Sequence, residues 1–128
     1  MKGLEIIQHK PRHEDERGNT FGYIAEQKIK EILIVRRKKG TYSGNHYHTG
    51  SDPTRNPEIQ YILSGRLNFT AKNLDTNEEE SHILGQDTEI RIYPRVFHRL
   101  EMLEDTIFAE FHTETSDFKD VVNMPEKK

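Results

Sequence analysis

The chain has 128 residues, a net charge of −3, and equal shares of apolar and charged residues, 32% each. That length suits one domain with a single hydrophobic core. The mildly acidic balance, with no long run of like charge, excludes an electrostatic footprint for nucleic acid. There is no cysteine, which excludes disulfides, thiolate chemistry and any zinc site built on sulfur.

The longest apolar runs have four residues, such as 32–35, far short of a membrane span. The N-terminus lacks the apolar core of a signal peptide. A cytoplasmic enzyme or binding protein is expected.

In chain order, short β-branched and aromatic runs alternate with turn signals. The pattern predicts strands over 4–9, 20–26 and 30–37, then 56–63, 66–74 and 81–85, and finally 88–94, 96–103 and 106–113. In 66–72, Leu67, Phe69 and Ala71 share one face and Arg66, Asn68 and Thr70 the other. Gly65 turns one strand into the next, and 74–81 is a polar connection whose acidic stretch, 77–80, is expected at a hairpin tip. About nine short strands at regular spacing argue for an all-β sandwich or barrel. The one helix expected is short, over 116–123, with Ser116 as N-cap and a frayed tail behind it.

His46 and His48 stand one residue apart, so on a strand both imidazoles point to one face. Gly40 precedes His46 by five intervening residues. Glu58 and Gly65 are separated by six, and His98 follows Pro94 by four positions. Three imidazoles and one carboxylate converging in a barrel mouth suit a divalent ion such as Zn, Fe, Ni or Mn, with positions left open for water or substrate.

These stretches, 40–48, 58–65 and 93–98, resemble the two sequence motifs of the cupins. The resemblance covers about residues 20–113. It implies a double-stranded β-helix, the jelly-roll cupin barrel, with His46, His48, Glu58 and His98 at the metal-ligand positions. Two departures stand out. Nine residues separate His48 from Glu58, where the family usually has three or four, so Asp52 stands at the usual spacing. The strand pattern after Glu58 and its spacing to Gly65 favour Glu58. In the second motif Val96 replaces a glycine, and the interval from Pro94 to His98 is one residue short.

The segment 14–24, with its Asp15-Glu16-Arg17-Gly18, is similar to the start of the sugar-nucleotide cupins: the 3,5-epimerases, the 3,4-ketoisomerases and the capsular polysaccharide cupin domains. That resemblance implies a small-molecule partner, a nucleotide sugar whose diphosphate Arg17 contacts. The bland alternative for Arg17 is a salt bridge with Asp15 or Glu14. Arg66 is a further candidate for substrate binding. The resemblance also implies a homodimer, and it divides the chain into 1–19, a strand and substrate-contacting segment, 20–113, the barrel, and 114–128, the helix and tail.

Proton abstraction next to a ketone is the first reaction expected, with His46, His48 and His98 as base, ligands or substrate-orienting groups. A metal-dependent dioxygenase and a non-catalytic binding cupin are the alternatives. His9, His13 and His82 are expected on the surface, and His112 as a satisfied edge residue. Tyr47 is expected to turn away from the two histidines, and Tyr61 away from Glu58.

Overall fold

A computed structural model describes residues 1–115 and 120–124. Each predicted apolar run from 30 onward forms a strand, because its alternating side chains can bury one face each. The strands are β1 (Leu4–Gln8), β2 (His13–Asp15), β3 (Gly18–Thr20), β4 (Glu31–Arg37), β5 (Tyr42–His48) and β6 (Glu58–Ser64). They continue with β7 (Arg66–Asn73), β8 (Glu79–Gly85), β9 (Thr88–Ile92), β10 (Val96–Met102), β11 (Thr106–His112) and β12 (Val121–Asn123). One five-stranded sheet has the order β1-β9-β6-β11-β4 and the other β12-β5-β10-β7-β8, all pairs antiparallel, while β2 and β3 form a separate hairpin. Sequence neighbours such as β4 and β5 fall in different sheets, the interleaving of a jelly roll.

The inward faces divide the interior into two zones. Ile62, Leu67, Phe69, Ala71, Ile90, Ile92, Leu100, Met102 and Phe108 form an apolar core, all of them buried. Burying a side chain of the size of Phe69 or Phe108 contributes roughly 1.5–3 kcal/mol, as an upper estimate. Two residues along the same strands the face turns polar. β6 passes from Ile62 to Gln60 and Glu58, β11 from Phe108 to Glu110 and His112, and β10 from Leu100 to His98. The apolar end closes the barrel, and the polar end holds the functional side chains.

Three expectations are corrected. The strand predicted over 20–26 stops at Thr20. Residues beyond it lie over the outer face of the first sheet, where the Tyr23 ring meets Phe111 at 4.4 Å and Tyr61 at 6.2 Å between centroids. One aromatic anchor, not an alternating face, fixes this segment, so no partner strand is needed. The helix predicted over 116–123 falls partly on residues outside those described, and its second half, Val121–Asn123, is strand β12. β-branched Val121 and Val122 favour extended backbone, and the edge of β5 offers them a partner. Glu79 and Glu80 open β8 and do not sit at the hairpin tip. Among the described residues no helix is long and apolar enough to cross a membrane.

Candidate active site

β5 carries two of the four candidate ligands, and a bulge aims them. His46 pairs with His98 and Gly44 with Arg99, so Asn45 is an extra residue in the strand. Gly44 and Asn45 both have positive φ, 82° and 69°. A Cβ at Gly44 would lie 2.8 Å from the His98 carbonyl oxygen and 3.3 Å from the His98 ring. Only glycine lets β5 approach β10 this closely. Past the bulge, His46 and His48 both face the interior and Tyr47 turns away, as their spacing predicts.

Glu58 completes the cluster. Its Oε2 lies 2.8 Å from His48 Nε2 and 3.3 Å from His98 Nε2. The His46 ring sits 4.9 Å from that of His48 and 4.8 Å from that of His98, between centroids. One ligand atom from each of the four residues falls within 4.8 Å of the others. His98 Nδ1 is 3.1 Å from the Val96 carbonyl oxygen, which assigns the ring proton to Nδ1 and turns the Nε2 lone pair towards Glu58. That Nε2 is buried without a hydrogen-bond partner. A lone pair facing a carboxylate oxygen calls for a cation between them, so the donor set fits a divalent metal.

The protonation states agree. Burial opposes the charge on Glu58, yet the hydrogen bonds from His48 and His98 outweigh it and hold the carboxyl well below its ordinary range. Burial, assisted by His98, pushes the His46 imidazole down to about 3. An ionised carboxylate beside a neutral imidazole is the state that metal binding requires.

The long insertion before Glu58 supplies a residue that the sequence pattern does not reveal. Pro53–Arg55 forms one 3₁₀ turn, capped by Asp52, whose Oδ1 accepts from the Thr54 N–H at 3.0 Å. Asp52 is therefore a cap, and Glu58 is the acid of the cluster. The turn drives Arg55 inward, where it is 3% exposed and donates from Nη1 to Glu58 Oε1 at 2.7 Å. The two oxygens of Glu58 are thus divided, one facing the imidazoles and one held by Arg55. Gln60 Nε2, 3.4 Å from Oε1, adds a further contact.

Asp120 fastens the start of the same insertion. Its buried carboxylate accepts from the Thr49 hydroxyl and from the backbone N–H groups of Thr49, Gly50 and Asp52. Burial raises its pKa, but these donors prevail and lower it to about 2. The unfolded chain titrates near the model value of 3.8. This contribution is therefore complete above that pH and lost as pH falls through about 2, and it amounts to about 2 kcal/mol. Urea unfolding at pH 5 and pH 2 is expected to show that much more acid destabilisation in the parent than in Asp120→Asn. Equal acid losses would show that the loop is not held by this carboxylate.

A cavity of about 150 Å³ opens off the cluster, lined by His46, His98, Glu58, Arg55, Gln60 and Glu110, with Arg37 also on its wall. The expected substrate arginines lie elsewhere. Arg17, on the β2–β3 hairpin, has an 81% exposed side chain and pairs with Asp15 at 2.8 Å. Arg66 has a 56% exposed side chain and faces Glu104 at 3.8 Å. Neither lines the cavity. The short second motif is accommodated by Arg95, whose φ of 64° supplies the left-handed turn that a glycine would give.

His112, expected as an edge residue, is fully buried between Glu110 and Glu31. Its alternation with Glu110 and Phe108 is visible in the sequence, but β11 is an inner strand, with β6 and β4 on either side. His9 also departs from expectation, lying 2.7 Å from the buried Glu89. Tyr61 turns to the outer face with it, as expected.

No family model and no curated protein matches the sequence. Solved structures do match the fold. A sugar 3,4-ketoisomerase from Thermoanaerobacterium thermosaccharolyticum, solved in complex with TDP, aligns with TM-score 0.76 at 16% identity, over 97% of this chain and 90% of that one. The TDP-quinovose 3,4-ketoisomerase from Campylobacter jejuni aligns with TM-score 0.78 at 14% identity, over 97% and 95%. The chain has the cupin fold.

A dTDP-4-dehydrorhamnose 3,5-epimerase from Sulfolobus tokodaii is also similar to this cupin, with TM-score 0.72 at 20% identity over 91% of this chain and 74% of that one. At such identities the likeness is one of fold. The side chains of the cupin barrel carry the functional argument.

Proposed function

We propose that this cupin is a metal-binding isomerase or epimerase of a sugar nucleotide, acting by proton abstraction next to a carbonyl. The observation that carries the reading is the convergence of His46, His48, His98 and Glu58 on one side of a polar cavity. The fold is shared with sugar-nucleotide ketoisomerases and an epimerase, which supports the substrate class.

The four side chains would hold one divalent ion through the imidazole nitrogens and Glu58 Oε2. Bound there, such an ion supplies polarisation of a substrate carbonyl, which acidifies the neighbouring C–H. Arg55 holds Glu58 in place through Oε1, and Gly44 lets His46 and His98 share one volume. Arg37 is the cation of the cavity wall placed to meet a substrate anion, where Arg17 and Arg66 are too distant from the cluster. His46 serves as base only in protein without the ion, since a ligated imidazole has no free lone pair.

Elemental analysis of the purified protein, beside His46→Ala and His98→Ala, is expected to show a stoichiometric divalent metal that both variants lose. The metal-loaded parent is then incubated with 4-keto-6-deoxy sugar nucleotides in D₂O and followed by NMR. Deuterium entering the carbon next to the ketone supports the reading, and its absence across these ketones ends it. Bound iron with substrate-linked oxygen uptake would transfer the site to the oxygenases.

A further inference from the structure

Glu110 projects from β11 into the cavity, two residues before His112 on the same face. Among the described residues of the cavity wall, it is the one acid–base side chain outside the four-residue cluster, the two arginines aside. Once those four hold an ion their lone pairs are committed, and proton transfer falls to another group.

The surroundings of Glu110 form a buried row. Gln60 Nε2, from β6, lies 3.3 Å from Glu110 Oε1, and Arg55 Nη1, from the insertion, 3.9 Å from Oε2. His112 Nε2 lies 3.3 Å from that same Oε2, and its Nδ1 is 3.2 Å from Glu31 Oε1 on β4. Arg37, also on β4, stands on the cavity wall. Glu31 has a 29% exposed side chain, so the row ends at solvent. Burial disfavours charge on His112, but the hydrogen bonds to Glu110 and Glu31 prevail and raise its pKa, which sets a cation behind Glu110. The Gln60 amide nitrogen is turned towards two carboxylates, and its carbonyl oxygen is buried without a partner. An orphaned acceptor on the cavity wall is available to a ligand hydroxyl.

We propose that Glu110 is the proton-shuttling base of this site, that His112 is its positioning residue, and that the reaction is a one-base ketone shift on a hydroxyketone sugar. The proposal rests on the sugar-nucleotide reading above. The Glu110 carboxylate takes the hydrogen from the hydroxyl-bearing carbon beside the ketone. The C–H electron pair becomes the C=C of an enediol, and the former carbonyl oxygen gains the proton that leaves the neighbouring hydroxyl. Glu110 then returns its proton to the former carbonyl carbon, so that nothing is gained or lost overall. One carboxylate on one wall reaches two adjacent carbons of a ring. Inversion at a single carbon requires a second acid on the opposite face, where the ligands are occupied.

The test uses metal-loaded parent, Glu110→Gln and His112→Gln, with a 4-keto-6-deoxy sugar nucleotide in D₂O. Glu110→Gln is expected to slow both hydrogen exchange and product formation by about 10²–10⁴-fold, with metal content unchanged and the Kd for the sugar nucleotide within about threefold. His112→Gln is expected to lower kcat about tenfold or more at unchanged KM and to move the acid limb of the kcat profile to higher pH. A purely structural role for His112 would not move that limb. Exchange by folded Glu110→Gln within a few-fold of the parent overturns the proposal. Should that variant fail to fold, Glu110→Asp carries the test, with kcat lowered and KM kept.

If the parent itself exchanges no hydrogen of these ketones, the sugar-nucleotide reading fails by itself. The role of Glu110 is then decided by carboxyl ¹³C NMR of the metal-loaded protein. An ionised Glu110 at pH 7 whose signal responds to His112→Gln upholds it as the cavity base, and a protonated Glu110 at pH 7 overturns that role.

Discussion

Glu58→Ala is expected to lose the divalent ion and to destabilise the fold by about 3–5 kcal/mol. Two physical effects add. The substitution removes the only carboxylate of the cluster, leaving three neutral imidazoles with weaker hold on the ion. It also strands Arg55, 3% exposed, without the carboxylate that lies 2.7 Å from its Nη1. A guanidinium left buried beside imidazoles has lost most of its compensation, and Glu110, at 3.9 Å, is too distant to replace it. Native stabilities of about 5–15 kcal/mol leave little margin for such a loss. For a domain of this size the melting temperature should fall by roughly 10–20 °C. Thermal melts with elemental analysis give both readouts. A variant that keeps its ion and melts within a few degrees of the parent would show that Glu58 neither binds the ion nor anchors Arg55.

Arg55→Ala is expected to destabilise the metal-free protein by a similar amount, about 3–5 kcal/mol, with the opposite response to metal. Here the stranded charge is Glu58, whose Oε1 keeps only the longer contact from Gln60 at 3.4 Å. Its Oε2 still faces His48 and His98. A divalent ion added at that face can replace the lost cation as partner, so ligand-induced stabilisation should exceed that of the parent. In Glu58→Ala the same addition should shift the melting temperature little. Melting curves of chelator-treated protein, with and without Zn²⁺ or Mn²⁺, separate the two variants. Equal shifts in Arg55→Ala and Glu58→Ala would mean that the ion does not bind through Glu58.

Much of the fold can be read from the chain because strands announce themselves locally. Leu67, Phe69 and Ala71 alternate on the page as they do in the core. The weak places were those where one long-range contact outweighs local preference. Residues after Thr20 follow the docking of Tyr23 on Phe111 and Tyr61, which no periodicity records. Val121 and Val122 pair with His48 and Tyr47 because an edge of β5 is free, a fact of topology.

The site shows the same division. His46 and His48, one residue apart on a strand, share a face by geometry alone, and the pattern around Glu58 and His98 is periodic enough to recruit them. The sequence by itself therefore determined the β class, the inward faces and the four candidate ligands. Which acid joins the cluster was decided by the 3₁₀ turn that makes Asp52 a cap and lets Glu58 reach back. Tertiary structure alone brought in Arg55, which is polar, loop-borne and without a pattern until the insertion folds inward over Glu58. It alone also made His112 an interior group, because burial of β11 depends on β4 and β6 packing against it from distant parts of the chain. Strand parity is encoded residue by residue. The neighbour across the sheet, and hence the charge a side chain meets there, is encoded only by the whole fold.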